Sequence, residues 1–159
     1  MSNQIELGTF GAGCFWGVEA RFRAVEGVLE ATSGYMGGQP DPDYKAVCTG
    51  KTGHAEVVQV RFDAQRVSYE ALLALFFDMH NPTTLNRQGP DIGNQYRSVI
   101  FFHSEAQEKA AKQAILELDQ SNRWPQPVVT SVQEAVTFWP AEEYHQRYLE
   151  KHGLGMCSI

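Results

Sequence analysis

Ile5-Glu6-Leu7-Gly8-Thr9-Phe10-Gly11-Ala12-Gly13-Cys14-Phe15-Trp16-Gly17-Val18 changes its period in the middle, and that change decides the fold. Ile5 to Phe10 reads as a strand. Beyond the Gly11/Gly13 turn the apolar positions Phe15, Val18, Phe22 and Val25 fall at helical spacing. The chain therefore runs strand, glycine turn, helix, with Cys14 at the start of the helix.

Working outward, Val28 to Tyr35 reads as a strand. Glu56-Val57-Val58-Gln59-Val60-Arg61-Phe62 is a clearer one, from its β-branched content and partial alternation. Ser68 can cap a helix whose Tyr69, Leu72, Leu73, Phe76 and Phe77 form one apolar face. Ser98 to His103 is short, apolar and suited to the middle of a sheet. Ser104-Glu105-Ala106-Gln107 matches a capping box, and Ala106, Ala110, Ala114 and Leu118 make a small-residue stripe fit for close packing on a sheet. Val128 to Val136 supplies a further strand, and Pro140 can open a last helix through Leu149. The first six elements match the split βαβ arrangement. The expected fold is α+β with a ferredoxin-like core: a mainly antiparallel sheet, helices on one face, and long loops. Gly34 to His54, His80 to Arg97 and Gly153 to Ile159 stay irregular in this reading, and polar loops of that length in a compact domain tend to be functional.

No repeat or linker divides residues 1–159, so one catalytic domain with a mobile tail at 153–159 is expected. A chain of this length buries about two-thirds of the surface its unfolded form exposes and needs no disulfide staples. The opening residues lack a basic region followed by an apolar one, and no apolar run approaches the roughly 18 residues of a spanning helix, so the cytoplasm is the default compartment and no membrane is implied. Thirteen Lys and Arg against nineteen Asp and Glu leave a net charge of −6 with the signs interspersed, which argues against nucleic acid. No long apolar stripe remains once the core is assigned, so a monomer is expected.

Cys14, Cys48 and Cys157 are too few and too irregular for a disulfide framework. Backbone N–H groups at a helix start favour a thiolate, so Cys14 can be a nucleophile. Position alone fits a small buried apolar residue equally well. Gly11, Gly13 and Gly17 tip the balance, because they let a ligand approach the backbone closely. They do not form a dinucleotide fingerprint with Glu30: the third glycine falls at Gly17 rather than position 16, and Phe15 and Trp16 would crowd a pyrophosphate.

Two further clusters surround this one in the sequence. Thr49-Gly50-Lys51-Thr52-Gly53-His54-Ala55-Glu56 lacks the earlier glycine of a phosphate loop, since that position holds Lys45. Its Glu56 enters an apolar strand, where a carboxyl keeps its proton more readily and can donate it. Taken alone it reads better as an ordinary exposed strand-end residue. Asn86-Arg87-Gln88-Gly89-Pro90-Asp91-Ile92-Gly93-Asn94-Gln95-Tyr96-Arg97 is dense in hydrogen-bonding groups on defined turns. Tyr96, with Tyr44, could offer phenol hydroxyls to a polar substrate atom, though tyrosines also serve simply as packing residues.

Gly13-Cys14-Phe15-Trp16-Gly17, Gly53-His54-Ala55-Glu56, Asn86 to Asp91 with Gln95-Tyr96-Arg97, and Pro140-Ala141-Glu142-Glu143-Tyr144-His145-Gln146 together resemble the A-type peptide methionine sulfoxide reductases, in order and over nearly the whole chain. The resemblance implies reduction of the S epimer of methionine sulfoxide, free or in proteins, through a sulfenic acid on Cys14. It makes Glu56 the acid, Tyr44 and Tyr96 hydroxyls near the sulfoxide oxygen, Asp91 a supporting polar residue, and Phe15 and Trp16 the walls receiving the substrate methyl. It also points to Cys157 as the resolving thiol and to thioredoxin or a similar dithiol as reductant, with no bound cofactor. Some members carry two tail cysteines where this chain has one, so a second relay is not expected. The competing readings are a cysteine hydrolase with His54 as base, and a zinc site on Cys14, Cys48, Cys157 and a histidine, for which no CxxC or HxxxH spacing exists.

Overall fold

The computed structural model describes residues 5–13, 15–38, 53–88 and 91–141. Among these residues six strands form one sheet, in the order β7 (Ser131–Glu134), β6 (Ser98–Phe102), β1 (Ile5–Ala12), β3 (Ala55–Asp63), β2 (Val28–Met36), β8 (Trp139–Pro140). The core of that sheet is β1 (Ile5–Ala12), β2 (Val28–Met36), β3 (Ala55–Asp63) and β6 (Ser98–Phe102), joined by α1 (Phe15–Arg23) and α2 (Tyr69–Asp78). Each helix connection skips one strand: β3 lies between β1 and β2, and β1 lies between β3 and β6. This is the expected split βαβ arrangement, and these four strands pair antiparallel throughout. A third helix, α3 (Glu105–Gln120), leads to β7 (Ser131–Glu134), which pairs parallel to β6.

The two faces of the sheet follow from alternation. Val58, Val60 and Phe62 of β3 point with Phe10, Ala31, Tyr35 and Ile100 into the larger core, where Val18 and Phe22 of α1, the apolar stripe of α2 and Ala111 of α3 meet them. Phe10 is the hub, its ring 5.0 Å from Phe22, 5.5 Å from Phe76 and 5.9 Å from Tyr69. On the opposite face Met36, Ala55, Val57, Val99 and Phe101 form a second cluster, covered by Ala135 and Phe138. A buried ion pair also ties α1 to β2. Glu19 accepts hydrogen bonds from Ser33 and Arg23, each at 2.8 Å, and Arg23 donates on to the Ala31 carbonyl.

The caps form as anticipated at Ser68 and Ser104, whose hydroxyls accept from the backbone of Ala71 and Gln107. Gln107 does not close the box on Ser104. Its carbonyl oxygen takes the His103 N–H, and its amide donates to the Leu7 carbonyl, stitching α3 to β1. Ala106 is exposed, while Gln107 and Ala111 are the buried residues of that helix.

Three expectations need correction. Val128 to Val136 contracts to the four residues of β7, because the Val128 and Val129 N–H groups bond Asp119 and the Pro82 carbonyl instead of a strand, and the pairing with β6 ends once the Ala135 N–H has bonded the Phe102 carbonyl. The stretch from His80 to Arg97 is not wholly irregular, for β4 (Arg87–Gln88) pairs with β5 (Asp91–Ile92) and a 3₁₀ turn spans Asn94–Tyr96. Pro140 does not open a helix. With Trp139 it forms β8, paired antiparallel to Tyr35 and Gly34 of β2, and residues 142–149 lie outside the described residues. Gly34 makes that pairing feasible, since a β-carbon there would sit 2.5 Å from the Trp139 carbonyl oxygen.

Candidate active site

Strand register brings the site's elements to one end of the sheet. Ala12, the last residue of β1, pairs with Ser98, the first of β6, and Glu56 near the start of β3 pairs with Tyr35 near the end of β2. Gly11 lies against this junction: a β-carbon there would stand 3.2 Å from the Glu56 carbonyl oxygen. Parity then directs the Glu56 side chain to the same face as Val58, Val60 and Phe62, and it is 1% exposed. Gly13 follows with φ +98°, a left-handed conformation in which glycine is favoured. Cys14 is the next residue in the chain.

Of the other residues singled out from the sequence, Phe15 opens α1, and Trp16 beside it is half-buried against the main core. Asp91, half-buried, stands opposite Gln88 in the β4–β5 hairpin. Tyr96 ends the 3₁₀ turn, which packs on β3 and β4. Glu56, Asp91, Tyr96 and the Gly13 turn thus belong to elements in mutual contact. Cys14, Tyr44, Cys48 and Cys157 lie outside the described residues.

The ends of segment 39–52, which carries Tyr44, are nonetheless well held. The Gly38 N–H donates to His54 Nδ1 at 3.1 Å, and Arg97 donates to the Gly53 carbonyl at 3.1 Å. A β-carbon on Gly53 would lie 3.6 Å from the Gly38 Cα, so the segment leaves and returns at one point. His54 is buried with Nδ1 engaged in this neck, a structural task that counts against its use as a hydrolase base. Burial lowers the pKa of Arg97, which makes its carbonyl bond more valuable as a replacement for water.

Below the strand end runs a directed chain of polar groups that the sequence did not announce. His80 Nδ1 lies 2.7 Å from the Phe76 carbonyl, which can only accept, so that nitrogen carries the proton. Nε2 must then accept from Ser98 Oγ, 2.7 Å away, and Ser98 in turn accepts from Thr130 Oγ1 at 2.7 Å. Burial pushes the His80 pKa down to about 4, so the ring stays neutral. Among the described residues no group of three His, Cys, Asp or Glu side chains is arranged to hold a metal ion, and no helix is long and apolar enough to cross a membrane.

Comparison with known proteins agrees with this architecture. The sequence model of the peptide methionine sulfoxide reductase family matches residues 6–159. A peptide methionine sulfoxide reductase MsrA from Methanoculleus marisnigri is 59% identical over 154 residues, 96% of this chain and 94% of that protein. The reduced crystal structure of Mxr1 from Saccharomyces cerevisiae superimposes with a TM-score of 0.90 at 37% identity, covering 97% of this chain and 89% of that one. The same yeast protein in complex with Trx2 shares the fold at a TM-score of 0.64 and 24% identity, over 91% and 85% of the two chains. Shared fold and near-complete sequence match define an oxidoreductase. The chain belongs to the peptide methionine sulfoxide reductase family.

Proposed function

We propose that this chain reduces the S epimer of methionine sulfoxide, free or in proteins, with Cys14 as nucleophile and Glu56 as proton donor. The observation that carries the reading is the register: Glu56 is buried at the level where β1 ends and the turn to Cys14 begins. A carboxyl withdrawn from water favours its protonated form and can give that proton to the sulfoxide oxygen. Tyr44 and Tyr96 would hydrogen-bond the same oxygen, Asp91 would support them, and Phe15 and Trp16 would receive the methyl group and select the epimer.

Attack of the Cys14 thiolate on the protonated sulfoxide sulfur moves the oxygen to Cys14. The substrate sulfur gains two electrons, methionine leaves, and Cys14 becomes a sulfenic acid. The Cys157 thiolate then attacks Cys14 Sγ, water departs, and a Cys14–Cys157 disulfide forms. An external dithiol reduces it. Thioredoxin is the proposed reductant, a reading in line with the Trx2 complex of the yeast relative. Cys48 has no part in this cycle. Residues 1–159 act as one catalytic domain whose tail, 153–159, brings in Cys157, and the enzyme works as a cytoplasmic monomer with no bound cofactor.

The test is incubation of the pure protein with each epimer and dithiothreitol, followed by product analysis and by peptide mapping after one turnover. Methionine from the S epimer alone and a Cys14–Cys157 disulfide are expected. Turnover retained by Cys14→Ser, or a Cys14–Cys48 bond in place of Cys14–Cys157, would contradict the assignment.

A further inference from the structure

Gln88 closes the first strand of the β4–β5 hairpin with its side chain turned inward. This side chain is 3% exposed, yet its amide is fully used. Its oxygen accepts the Asn81 N–H at 3.0 Å, and its nitrogen donates to the Asn81 carbonyl at 2.5 Å and to Thr84 Oγ1 at 3.3 Å. One side chain thus completes both backbone groups of one residue, as a neighbouring strand would. Asn81 is itself immobilised. It precedes Pro82, which restricts its backbone, and its own Oδ1 accepts from the Thr83 N–H and hydroxyl.

The stem of Gln88 has a separate contact. Its Cβ and Cγ each lie 3.0 Å from the position a β-carbon of Gly13 would take, so they fill the space beside the left-handed turn. The amide holds the stem, and the stem bears on the residue covalently joined to Cys14. The His80–Ser98–Thr130 chain reinforces the same place from beneath, because Ser98 pairs with Ala12.

We propose that Gln88 is a positioning residue for sulfoxide reduction: clamped on the Asn81 backbone, it sets the Gly13 turn and with it the direction of the Cys14 sulfur. The proposal rests on Cys14 as nucleophile. Misdirection of a reacting atom by about 1 Å costs on the order of 100-fold in rate even when substrate still binds.

Two substitutions separate this role from general support of the fold. Gln88→Met keeps the stem and loses the amide, and its single-turnover rate at saturating methionine S-sulfoxide should fall about 10- to 100-fold. Gln88→Glu has a finer signature. Ionised, it sets a carboxylate against the Asn81 carbonyl; protonated, it can donate to that carbonyl and accept the N–H as glutamine does. Taken per folded molecule, with the urea midpoint followed in parallel, its rate divided by the wild-type rate should therefore rise as pH falls from 8 to 5, while a merely structural role would move the midpoint and leave the rate per folded molecule flat. Asp91 opposite it, Arg87 beside it, Tyr96, Glu56, His80 and Cys14 titrate in both proteins, and the uncharged Gln88→Met variant, whose ratio to wild type should stay flat with pH, separates their share from that of the new carboxyl. A wild-type rate in Gln88→Met, or a Gln88→Glu ratio that does not rise, overturns the proposal while leaving the nucleophile in place. An active Cys14→Ser control would instead remove the nucleophile reading on which it rests.

Discussion

Phe10 and Gly13 are three residues apart on one strand and turn, yet their surroundings are built on opposite principles. Around Phe10 every neighbour is a ring or an aliphatic chain, and position follows from close packing that tolerates no gap. Around Gly13 the touching atoms are the stem of Gln88, and that stem and the neighbouring strand end are fixed by an amide, a neutral imidazole and hydroxyls, each engaged with a named backbone or side-chain atom. Apolar packing is non-directional and gives stability. Hydrogen bonds are directional, and they suit a place where a turn must face one way and a polar substrate must still enter.

The contrast can be broken by substitution. Glu56→Gln keeps the shape of the polar end but removes the transferable proton, so single-turnover reduction should slow by roughly 10²- to 10⁴-fold with the urea midpoint nearly unchanged. Phe22→Ala should do the reverse. Emptying the place stacked on Phe10 should cost about 3–5 kcal/mol in urea unfolding, while the rate per folded molecule stays within a few-fold. A variant that moved both quantities together would show the two regions to be one unit.

His80 sharpens the comparison, since its ring lies tilted against Phe76 at a centroid distance of 4.5 Å and also closes the polar chain. Its folded pKa of about 4 lies below the ordinary 6.5, so the unfolded chain takes up the proton first. Its contribution is intact above pH 6.5 and is lost as pH falls towards 4. Between pH 7 and 5 the wild type should lose about 2 kcal/mol more stability than His80→Gln. Equal losses would mean that the ring is not held neutral. The smallest effect belongs to neither region. Lys112 pairs with Glu108 across one exposed turn of α3, and Lys112→Ala should cost less than about 0.5 kcal/mol by the same urea measurement.

What could be read from sequence follows the same division. The strands and helices bearing the Phe10 core were legible because periodic apolar positions are a property of the chain itself: Tyr69, Leu72, Leu73, Phe76 and Phe77 share a face wherever the helix docks. Glu56 was only half legible: read alone it was better taken as an exposed strand-end residue, and its burial follows from a parity shared with Val58, Val60 and Phe62 that matters only once the helices cover that face. Two-residue strands have no period to detect, so β4, β5 and β8 were missed. Pro140 fits both a helix start and an edge strand, and only its pairing with Gly34 decides between them. The task of Gln88 depends on Asn81 and Gly13, contacts that no spacing encodes. The density of polar residues around Gln88 marked the neighbourhood without revealing which one bears on the turn.

Pro140 carries one more consequence. A sheet margin with free N–H groups is a template on which another chain can add a strand and begin to aggregate. Among the described residues one margin is β8, two residues long and ending in a proline that has no N–H to offer, and the other is β7, with Gln133 and Glu134 exposed. Short, polar and proline-ended margins offer an added strand few N–H groups to pair with, so the sheet is poorly suited to grow by edge addition.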